Sequence, residues 1–498
     1  MNTTALQLKL HAFLSSKLFF RIIMGFFIVS SVYVALVSLY PMAFDENFHI
    51  GLIQIYAQHW LPLPAQTPST DVYGAITADP SYFYHYLMSF PYRLLHQYIG
   101  SESVIIVLLR VMNISFCVAA LFIFRRLLRE AKVSPAIINV TFAFFVLIPV
   151  VPLLAGQVNY DNLLMLLIAF VFLFSHRIYQ GIVHEKRTPV SSLFWLIIVL
   201  TYTAIVKYAF LPIAAAIVGY LLYVFIRATR HDKRIARQLV GDTKRLSKKQ
   251  KVLFSAIFVL GLILFSQRYV LNVVNYHHPI PDCAVVLNET RCQAYGPWGR
   301  DYHYEQNKED VSVKGPLAYT AQDWSWGMWH RLFFTLAGPT NNYQTQRQLP
   351  VPSGIAIVLF FMVVIATVIG GRRVLRKYPV FVPVLIVTTV YIAALWSQQY
   401  QSYTQTGQPV AINGRYLVPL LPLLGAFSLL VLLEAARKLK VTTYAAPFAC
   451  VILLLFLQGG GPITYIVRSN PSWFWQDALT QDVTNTLRST LKPVVIGD

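Results

Sequence analysis

Residues 22–49 read IIMGFFIVSSVYVALVSLYPMAFDENFH, an apolar run followed within a few residues by the acidic pair Asp45-Glu46. The run 22–40 is long enough to cross a bilayer as a helix, and it lacks the small-residue cleavage pattern of a signal peptide. We therefore predict a retained first span with the acidic pair at its end. Asp45 and His49 are four residues apart and share one face if a helix begins there.

Comparable apolar runs recur along the chain, which has 498 residues, 56% of them hydrophobic and 12% charged. Soluble domains average roughly 25% charged residues, so this composition is typical of a membrane protein. About eleven spans are predicted from run length, at residues 22–40, 102–124, 136–156, 161–179, 190–208, 211–227, 252–274, 352–371, 379–397, 415–435 and 442–460. The predicted fold class is all-α integral membrane, with one polytopic transmembrane domain over residues 1–460 and a short tail over residues 461–498.

The basic residues set the orientation of these spans. With the N-terminus in the cytoplasm, every inner segment is rich in Lys and Arg, as the positive-inside rule requires. The most basic segment, 227–251, is interpreted as a lipid-facing cytoplasmic loop. Membrane lipids thereby account for the formal net charge of +20, and no nucleic-acid partner is predicted. The expected location is the inner (cytoplasmic) membrane of the cell, with multiple passes.

The long loops then lie on the outer face, which points to binding or chemistry there. They are residues 41–101 and 275–351, and the tail lies on the same side. Within the first loop, residues 46–60 and 82–98 have the pattern of helices that lie parallel to the membrane surface. Cys283 and Cys292 of the second loop can pair if that compartment is oxidising, and the sequence leaves this open.

Three outer-facing acids, Asp45, Glu46 and Asp161, are the candidate catalytic groups. A carboxylate at the membrane–water boundary can act as a general base that takes a proton from an acceptor hydroxyl. Partial desolvation would raise its pKa toward the working range. The structural alternative is a helix cap, because acids are favoured at helix N-termini. Spacing alone favours the cap for the pair Asp45-Glu46 and does not decide the matter for Asp161.

Four cations occur within predicted spans or at their outer ends, where a charge is costly and usually has a function or a partner. They are Arg110, Lys207, Arg268 and Arg415. Together they suit a lipid phosphate or diphosphate, with Arg donating forked hydrogen bonds and Lys acting as a point charge. The alternatives are pairing with the acids or snorkelling to the headgroups, which we expect for Arg268. Lys207 and Arg415 are the stronger candidates for a site.

No motif predicts a fixed metal or a nucleotide site. The outer histidines form no His-Glu-x-x-His pair, so a fixed zinc site is not expected. Asp45, His49 and Asp161 are a weak candidate for a labile divalent metal. The chain has no Gly-rich phosphate loop and no Gly-x-Ser-x-Gly elbow. No cofactor is therefore firmly predicted.

Three short motifs resemble those of the GT-C superfamily of polytopic glycosyltransferases, and within it a poorly characterised bacterial group. They are Asp45-Glu46-Asn47-Phe48-His49, Asn159-Tyr160-Asp161 and Gly414-Arg415-Tyr416-Leu417-Val418-Pro419-Leu420-Leu421-Pro422. Members of this superfamily use polyprenyl-phosphate sugars, and an acidic residue or pair follows their first span. The span layout extends the resemblance over nearly the whole chain. This chain departs from the superfamily pattern in the first loop, where many members have a Pro-Pro motif and this sequence has the single Pro80.

The resemblance implies that Asp45 is the catalytic base and that Lys207 contacts the donor phosphate. Combined with the acids and cations above, it completes a set of candidate residues. The catalytic candidates are Asp45, Glu46 and Asp161. The donor-phosphate candidates are Lys207, Arg415 and Arg110. The substrate-binding candidates are His49, His85, Asn159 and Tyr416.

The expected function is transfer of a sugar, with inversion, from a polyprenyl-phosphate donor to the hydroxyl of a glycan or lipid-linked acceptor at the outer face. Asp45, Asp161, Lys207 and Arg415 should then line one outer cavity. The alternative among enzymes is a ligase or polymerase that uses a diphosphate-linked glycan. The alternative among other classes is a lipid or glycan transporter (flippase), which would predict broken helices, mid-membrane charges and an internal repeat. No clear repeat occurs, and the charges lie toward one face.

Overall fold

The computed structural model describes residues 3–308, 313–333 and 350–495, and these form helices joined by turns. Within these ranges, the one pairing of strand type is an isolated bridge between Ser38 and Phe474. The predicted all-α class is therefore confirmed. Parts of the predicted loop 275–351, namely residues 309–312 and 334–349, lie outside the described residues.

The α-helices are numbered in chain order. Those of the first half are α1 (Thr3–Ser15), α2 (Lys17–Val37), α3 (Glu46–Ala57), α4 (Phe83–Tyr98), α5 (Glu102–Glu130), α6 (Pro135–Leu147), α7 (Val150–Ala155), α8 (Tyr160–Val183), α9 (Val190–Val206), α10 (Leu211–His231), α11 (Arg234–Arg245) and α12 (Lys248–Ser266). Those that follow are α13 (Tyr269–Tyr276), α14 (Cys283–Leu287), α15 (Glu289–Cys292), α16 (Gly296–Gln306), α17 (Pro316–Tyr319), α18 (Ser325–Phe333), α19 (Val351–Lys377), α20 (Phe381–Thr406), α21 (Leu421–Lys438), α22 (Ala445–Phe456), α23 (Ile463–Arg468) and α24 (Ala478–Leu491). Short turns of 3₁₀ helix precede α10 (Tyr208–Phe210) and α21 (Gly414–Leu420).

Eight helical segments of the described chain are long and apolar enough to cross a membrane. They are Lys17–Val37, Glu102–Glu130, Tyr160–Val183, Tyr208–His231, Lys248–Tyr276, Val351–Lys377, Phe381–Thr406 and Gly414–Lys438. Three shorter apolar helices, Pro135–Leu147, Val190–Val206 and Thr442–Phe456, lie where three further spans are predicted. Together these helices have the length and composition of a polytopic all-α membrane protein.

Several predicted spans are interrupted in the structure, among them 252–274, which breaks between α12 and α13. The run 136–156 divides next to Pro149, because proline removes a backbone donor and restricts the residue before it. The chain between α9 and α10 turns at Lys207, whose backbone is extended. The gap predicted between the spans 190–208 and 211–227 therefore lies a few residues too late. This difference matters for function, since it puts the Lys207 side chain on a break between two helices.

Helix α8 is the centre of the bundle. Of its most apolar 18-residue stretch, 72% is buried, against 17% for the peripheral helix α19. Helix α8 packs against α5, α9 and α10, and its first turn carries Asp161. The most enclosed of the eight candidate spans therefore begins with an acidic side chain in its first turn.

Both helices predicted in the loop 41–101 are present and pack against each other. Helix α3 ends at Ala57 rather than near residue 60, and α4 begins at Phe83. Gly51 of α3 faces the ring of Tyr73 so closely that any side chain at this position would clash. The missing side chain lets the turn Pro68–Tyr73 pack directly on α3, which shapes the first loop.

An ion pair connects the two long loops, and a disulfide shapes the part of the second loop that carries it. Cys283 and Cys292 are bonded to each other, which answers the question that the sequence left open. The bond closes α14 and α15 into a small hairpin. From this hairpin, Arg291 donates two hydrogen bonds of 2.7 Å to the carboxylate of Asp71 in the first loop. An Arg–carboxylate fork fixes orientation as well as distance, so the two loops form one surface.

The disulfide predicts the number of free thiols. In denaturant without reductant we expect alkylation of Cys117 and Cys450 only, because a paired Cys283–Cys292 has no thiol to react. After reduction all 4 cysteines should react. Mass spectrometry of the alkylated peptides measures both counts. Alkylation of Cys283 and Cys292 before reduction would contradict the pairing.

The described part of the predicted tail, residues 461–495, is docked on the first span through Trp473 and Trp475. The backbone N–H of Leu39 donates to the carbonyl of Trp473 at 2.8 Å. The N–H of Trp475 donates in turn to the carbonyl of Val37 at 3.0 Å. These contacts hold the end of α2, and the acidic turn begins only a few residues later.

Candidate active site

The acidic pair lies on a backbone turn that residues other than glycine rarely adopt. Phe44 and Asp45 both have left-handed backbone, with φ of 65° and 69°, at a cost of roughly 1–2 kcal/mol per residue. The side-chain amide of Asn159 donates to the Phe44 carbonyl at 3.0 Å, and the Arg415 guanidinium lies 4.8 Å from the Phe44 ring centre. Such strain persists only where surrounding contacts enforce it. The turn leaves Asp45 exposed and Glu46 buried.

Glu46 and Arg110 are each other's partners, and both side chains are 0% exposed. Arg110 donates from Nε to Glu46 Oε1 at 2.8 Å and from Nη2 to Oε2 at 2.7 Å. Backbone N–H groups of Met42 and Val158 donate to the same carboxylate. The remaining arm of Arg110 donates to two backbone carbonyls near the end of α2. Glu46 was predicted to be catalytic and Arg110 to bind phosphate. In the structure neither side chain faces open space. Each is the partner that the other buried charge needs.

A second network joins Asp45, Asp161, Lys207 and Arg415, and these four residues are termed the charge cluster. Arg415 donates from Nη2 to Asp45 Oδ2 at 2.9 Å, and its Nε lies 3.8 Å from Asp161 Oδ2. Lys207 donates from Nζ to Asp161 Oδ1 at 2.6 Å. Asp45 and Arg415 are 370 positions apart in the sequence. The four side chains that were predicted to line one outer cavity thus lie together, but none of them belongs to the wall of the cavity described below.

Neither Asp45 nor Asp161 caps a helix with its side chain. Asp45 precedes α3 but makes no side-chain capping hydrogen bond. The cap of α8 is Asn159, whose side-chain oxygen accepts a hydrogen bond of 2.9 Å from the N–H of Asp161. Because the amide of Asn159 also bonds the Phe44 carbonyl, this one buried residue holds both acidic turns in place. Asn159 was predicted to bind substrate, yet its position makes it a support for the acids.

Tyr416 lies beside both cations of the charge cluster. Its ring centre is 4.7 Å from the Lys207 ammonium and 5.6 Å from the Arg415 guanidinium carbon. The Tyr160 ring lies 4.4 Å from the same ammonium. Aromatic faces of this kind attract positive charge. The Nη1 group of Arg415 has no hydrogen-bond partner within the described part of the chain, so this guanidinium has donors to spare for an anion.

His49 and His85 form a buried pair behind the acidic turn. Their rings stack with centres 5.2 Å apart, and His49 Nδ1 lies 2.9 Å from His85 Nε2. Burial lowers the pKa of His85 to about 3. Burial, reinforced by the positive charges of Arg415 and Lys207, holds the pKa of His49 well below its usual value. Both rings are therefore neutral, one donating to the other, and they support α3 and α4 rather than face a substrate as predicted.

No protein-family model, curated protein or solved structure matches this chain. The chemistry of the site therefore has to follow from its own residues. Across the described ranges, no group of three His, Cys, Asp or Glu side chains is placed to hold a metal ion. At the candidate labile metal position, Asp45 and Asp161 pair with cations and His49 bonds His85.

A cavity of about 570 Å³ opens beside the charge cluster. Its walls come from both long loops and from Tyr208, the residue after Lys207. It is termed the aromatic cavity for the rings of Tyr73, Tyr208, Tyr276, Tyr295 and Trp298 that line it. Sequence patterns did not indicate these residues, because the cavity forms only when segments more than 200 positions apart come together.

Asp79 belongs to the wall of the aromatic cavity. Of the acids in that wall, it lies nearest in the sequence to the turn that carries Asp45. Its Oδ1 accepts a hydrogen bond of 2.8 Å from the N–H of Ser81. Burial raises its pKa by more than its hydrogen bonds to Ser81 lower it. Burial also raises the pKa of Tyr295, and the negative charges of Asp79 and Asp45 add to this effect. Tyr295 therefore lies within electrostatic reach of both the cavity acid and the exposed acid of the charge cluster.

The raised pKa of Asp79 predicts a dependence of stability on pH. The folded protein binds this proton more tightly than the unfolded chain does, so Asp79 favours folding at low pH and opposes it as the pH rises through its raised pKa. We therefore expect Asp79→Asn to raise the midpoint temperature of unfolding at neutral pH. The gain should shrink as the pH falls toward 3.8, the ordinary value for Asp.

Asp71 provides a control of opposite sign. Its fork with Arg291 lowers its pKa, so its contribution to stability is present above the unfolded pKa and is lost as the pH falls. Asp71→Asn should therefore lower the midpoint at neutral pH and have less effect in acid. Thermal unfolding of the detergent-purified protein, followed by fluorescence from about pH 4 to pH 8, measures both variants. Shifts of the same sign at neutral pH would contradict the expectation.

Proposed function

We propose that this protein is a membrane glycosyltransferase of the GT-C kind, which transfers a sugar from a polyprenyl-phosphate donor to an acceptor hydroxyl. The observation that carries the proposal is the charge cluster. It places an exposed carboxylate, Asp45, 2.9 Å from Arg415, and it holds Lys207 close by on Asp161. Transfer from a phosphate-linked sugar needs this combination, because the acceptor must lose a proton while negative charge grows on the leaving phosphate.

In the proposed reaction Asp45 takes the proton of the acceptor hydroxyl. The hydroxyl oxygen forms a bond to the anomeric carbon from the side opposite the phosphate, so the sugar is inverted. The bond between that carbon and the phosphate oxygen breaks, and the phosphate leaves with the electron pair. The Asp45 side chain is 63% exposed, so water can remove the proton after each turnover.

Arg415 and Lys207 stabilise the leaving phosphate. Arg415 keeps an unpartnered Nη1 besides the arm that bonds Asp45, and Lys207 supplies a point charge. Asp161 is 2% exposed and bonded to Lys207, so in this proposal it positions the lysine and does not act as a base. Tyr416, which touches both cations, orients them toward the donor. No metal is needed in this scheme, because two side-chain cations supply the charge.

The cluster belongs at the outer face of the inner membrane in this proposal. Asp45 follows the first span, Asp161 begins α8, Lys207 follows α9 and Arg415 precedes α21, so all four residues lie at helix ends. A lipid-linked donor would therefore bring its phosphate to the cluster while its polyprenyl chain stays among the spans. The N-terminus is placed in the cytoplasm, since the basic segments follow the opposite ends of these helices.

A transfer assay tests the proposal. Purified protein in lipid nanodiscs is incubated with a panel of labelled polyprenyl-phosphate sugars and with a cell-envelope glycan extract as acceptor. We expect label from one lipid-phosphate sugar to enter the glycan, with the anomeric configuration inverted, and no label to enter from nucleotide sugars. Failure of every lipid-phosphate sugar to donate would contradict the proposal. Movement of the lipid-linked sugar across proteoliposomes without transfer would instead identify a flippase.

A further inference from the structure

The aromatic cavity has the wrong charge for a phosphate group. Two carboxylates, Asp79 and Asp282, belong to its wall, and none of its described lining residues is Lys or Arg. An anionic ligand would be repelled here, whereas the spare donors of the neighbouring charge cluster would attract it. The phosphate of a donor and the content of this cavity therefore belong in different places.

The lining instead combines flat aromatic faces with hydrogen-bonding groups. Trp298 is held firmly, because its Nε1 donates to Asp282 Oδ1 at 3.1 Å and its ring stacks on Tyr302 with centres 5.0 Å apart. A pyranose ring has one face of C–H groups that packs on such rings and a rim of hydroxyls that bond carboxylates. The volume of about 570 Å³ lies within the usual range for small-molecule sites, roughly 300–1,000 Å³.

We propose that the aromatic cavity binds a pyranose unit of the acceptor, so that the acceptor is a neutral carbohydrate or an amino sugar. The binding of sugar follows from the cavity itself. Its assignment to the acceptor rests on the proposed glycosyl transfer. Donor and acceptor would then occupy adjoining sites that differ in charge, with the phosphate at Lys207 and Arg415 and the sugar at Asp79 and Trp298.

The cavity adjoins the charge cluster through two residues. Tyr208 directly follows Lys207 in the chain, and its backbone N–H donates to Ser81 Oγ at 3.1 Å. Ser81 also donates from its N–H to Asp79, so the cavity acid and the cluster lysine are held by one short chain of contacts. Tyr295 reaches the other side, because its ring centre lies 6.0 Å from that of Phe48, three residues after Asp45.

The open side of the cavity favours the acceptor over the donor sugar. His278 and Asp282 are exposed, so a ligand can enter from water past the disulfide hairpin. A lipid-linked donor would approach from the membrane and be fixed by its phosphate at the cations. Asp79 then acts as a positioning residue, since its carboxyl can bond a sugar hydroxyl and hold the reacting hydroxyl toward Asp45.

Direct binding of sugars to the donor-free protein tests the proposal. The probe is a panel of methyl pyranosides, including neutral sugars and amino sugars, measured by saturation-transfer NMR with detergent-purified protein. We expect at least one pyranoside to bind with saturable affinity, and glucose 6-phosphate to bind no better than its neutral parent. Absence of saturable binding across the panel would overturn the proposal.

Paired variants locate the binding. Trp298→Ala and Asp79→Asn should each weaken the pyranoside by about tenfold or more, as the loss of a packing face or of a hydrogen bond to a charged group predicts. The matched controls Trp326→Ala and Asp301→Asn change exposed residues outside the cavity wall and should leave affinity unchanged. Asp79→Asn is also expected to be more stable at neutral pH, so its loss of binding would not come from unfolding. Equal losses in test and control variants would overturn the proposal.

Asp45→Asn separates this proposal from the proposed function. It should bind the pyranoside as the wild type does and yet fail in transfer. If the wild type binds the pyranoside but transfers no sugar, the proposed glycosyltransferase activity is refuted and the proposed sugar-binding site stands. If the wild type transfers sugar but Trp298→Ala and Asp79→Asn leave the KM for the acceptor unchanged, the acceptor site is refuted and the proposed glycosyltransferase activity stands. A farnesyl-phosphate sugar that displaces the pyranoside would assign the cavity to the donor, against the proposal.

Discussion

Asp45→Asn is expected to lower the rate of sugar transfer about 10²–10⁴-fold, the usual contribution of a general base. Asparagine has nearly the shape of aspartate, and its side-chain oxygen can still accept the hydrogen bond from Arg415 that Asp45 now accepts at 2.9 Å. It cannot take a proton from the acceptor. The effect should fall on kcat, because the cations that bind the donor phosphate are unchanged. Initial rates with the labelled donor, measured at saturating and at limiting concentrations, resolve kcat from KM.

The exposure of Asp45 makes this variant informative. Its side chain is 63% exposed, so the substitution should leave the thermal stability of the purified protein near that of the wild type. Asp301→Asn is a suitable control, since Asp301 is also a partly exposed acid paired with an arginine. It should transfer at the wild-type rate. If Asp45→Asn transfers normally and Asp161→Asn does not, the base is Asp161 and the proposed division of roles is wrong.

Much of the fold and part of the site could be predicted from the sequence. Run length located the helices that are long enough to span a membrane. The charge cluster was also predictable, because its members stand at span ends. Successive spans return the chain to the same side at every second crossing. Asp45 and Arg415 could therefore be expected to meet although 370 positions separate them.

The pairing of the charges could not be predicted. Asp45 and Glu46 are neighbours of the same charge, and only the left-handed turn separates an exposed acid from a buried one. That turn is enforced by Asn159, which lies 115 positions from Phe44. A sequence gives the depth of a charge along a span, but the rotation of each helix about its axis decides which partner the charge meets.

Arg268 illustrates the same limit. It was expected to snorkel to the headgroups, but it is buried, donates to the Pro62 carbonyl at 3.2 Å and lies 4.7 Å from the Tyr82 ring centre. Its partners come from the first long loop, whose path depends on contacts with the second loop. The aromatic cavity escaped prediction for this reason too, because Asp79 and Trp298 are neighbours only after the loops have joined.

Glu46→Gln is expected to lower the free energy of unfolding by about 3–5 kcal/mol, because Arg110 would remain charged and buried without a charged partner. Both side chains are 0% exposed, so water cannot replace the lost interaction. Unfolding of the purified protein in increasing SDS, followed by tryptophan fluorescence, measures the change. Arg110→Lys should fall between wild type and Glu46→Gln, since lysine keeps the charge but not the fork.

Glu130→Gln is the matched control for this loss. Glu130 is likewise an acid paired with arginine, with 2.6 Å to Arg177 and 3.0 Å to Arg126, but its side chain is 32% exposed. Exposed ion pairs contribute about 0–1 kcal/mol, so this variant should unfold close to the wild type. A loss in Glu46→Gln no larger than in Glu130→Gln would contradict the role given to the buried pair.

Replacing both partners separates the ion pair from the rest of its network. A buried ion pair can often be exchanged for apolar residues at little cost. Here the carboxylate also accepts from two backbone N–H groups, and the guanidinium donates to two backbone carbonyls. Each group left without a partner costs about 1–3 kcal/mol. The double variant Glu46→Leu with Arg110→Leu should therefore stay less stable than the wild type, because the network ties α2, α5 and the acidic turn together through the backbone. Full recovery of stability would mean that the turn holds its shape without this network, and Asp45 would then owe its position to Asn159 and Arg415 alone.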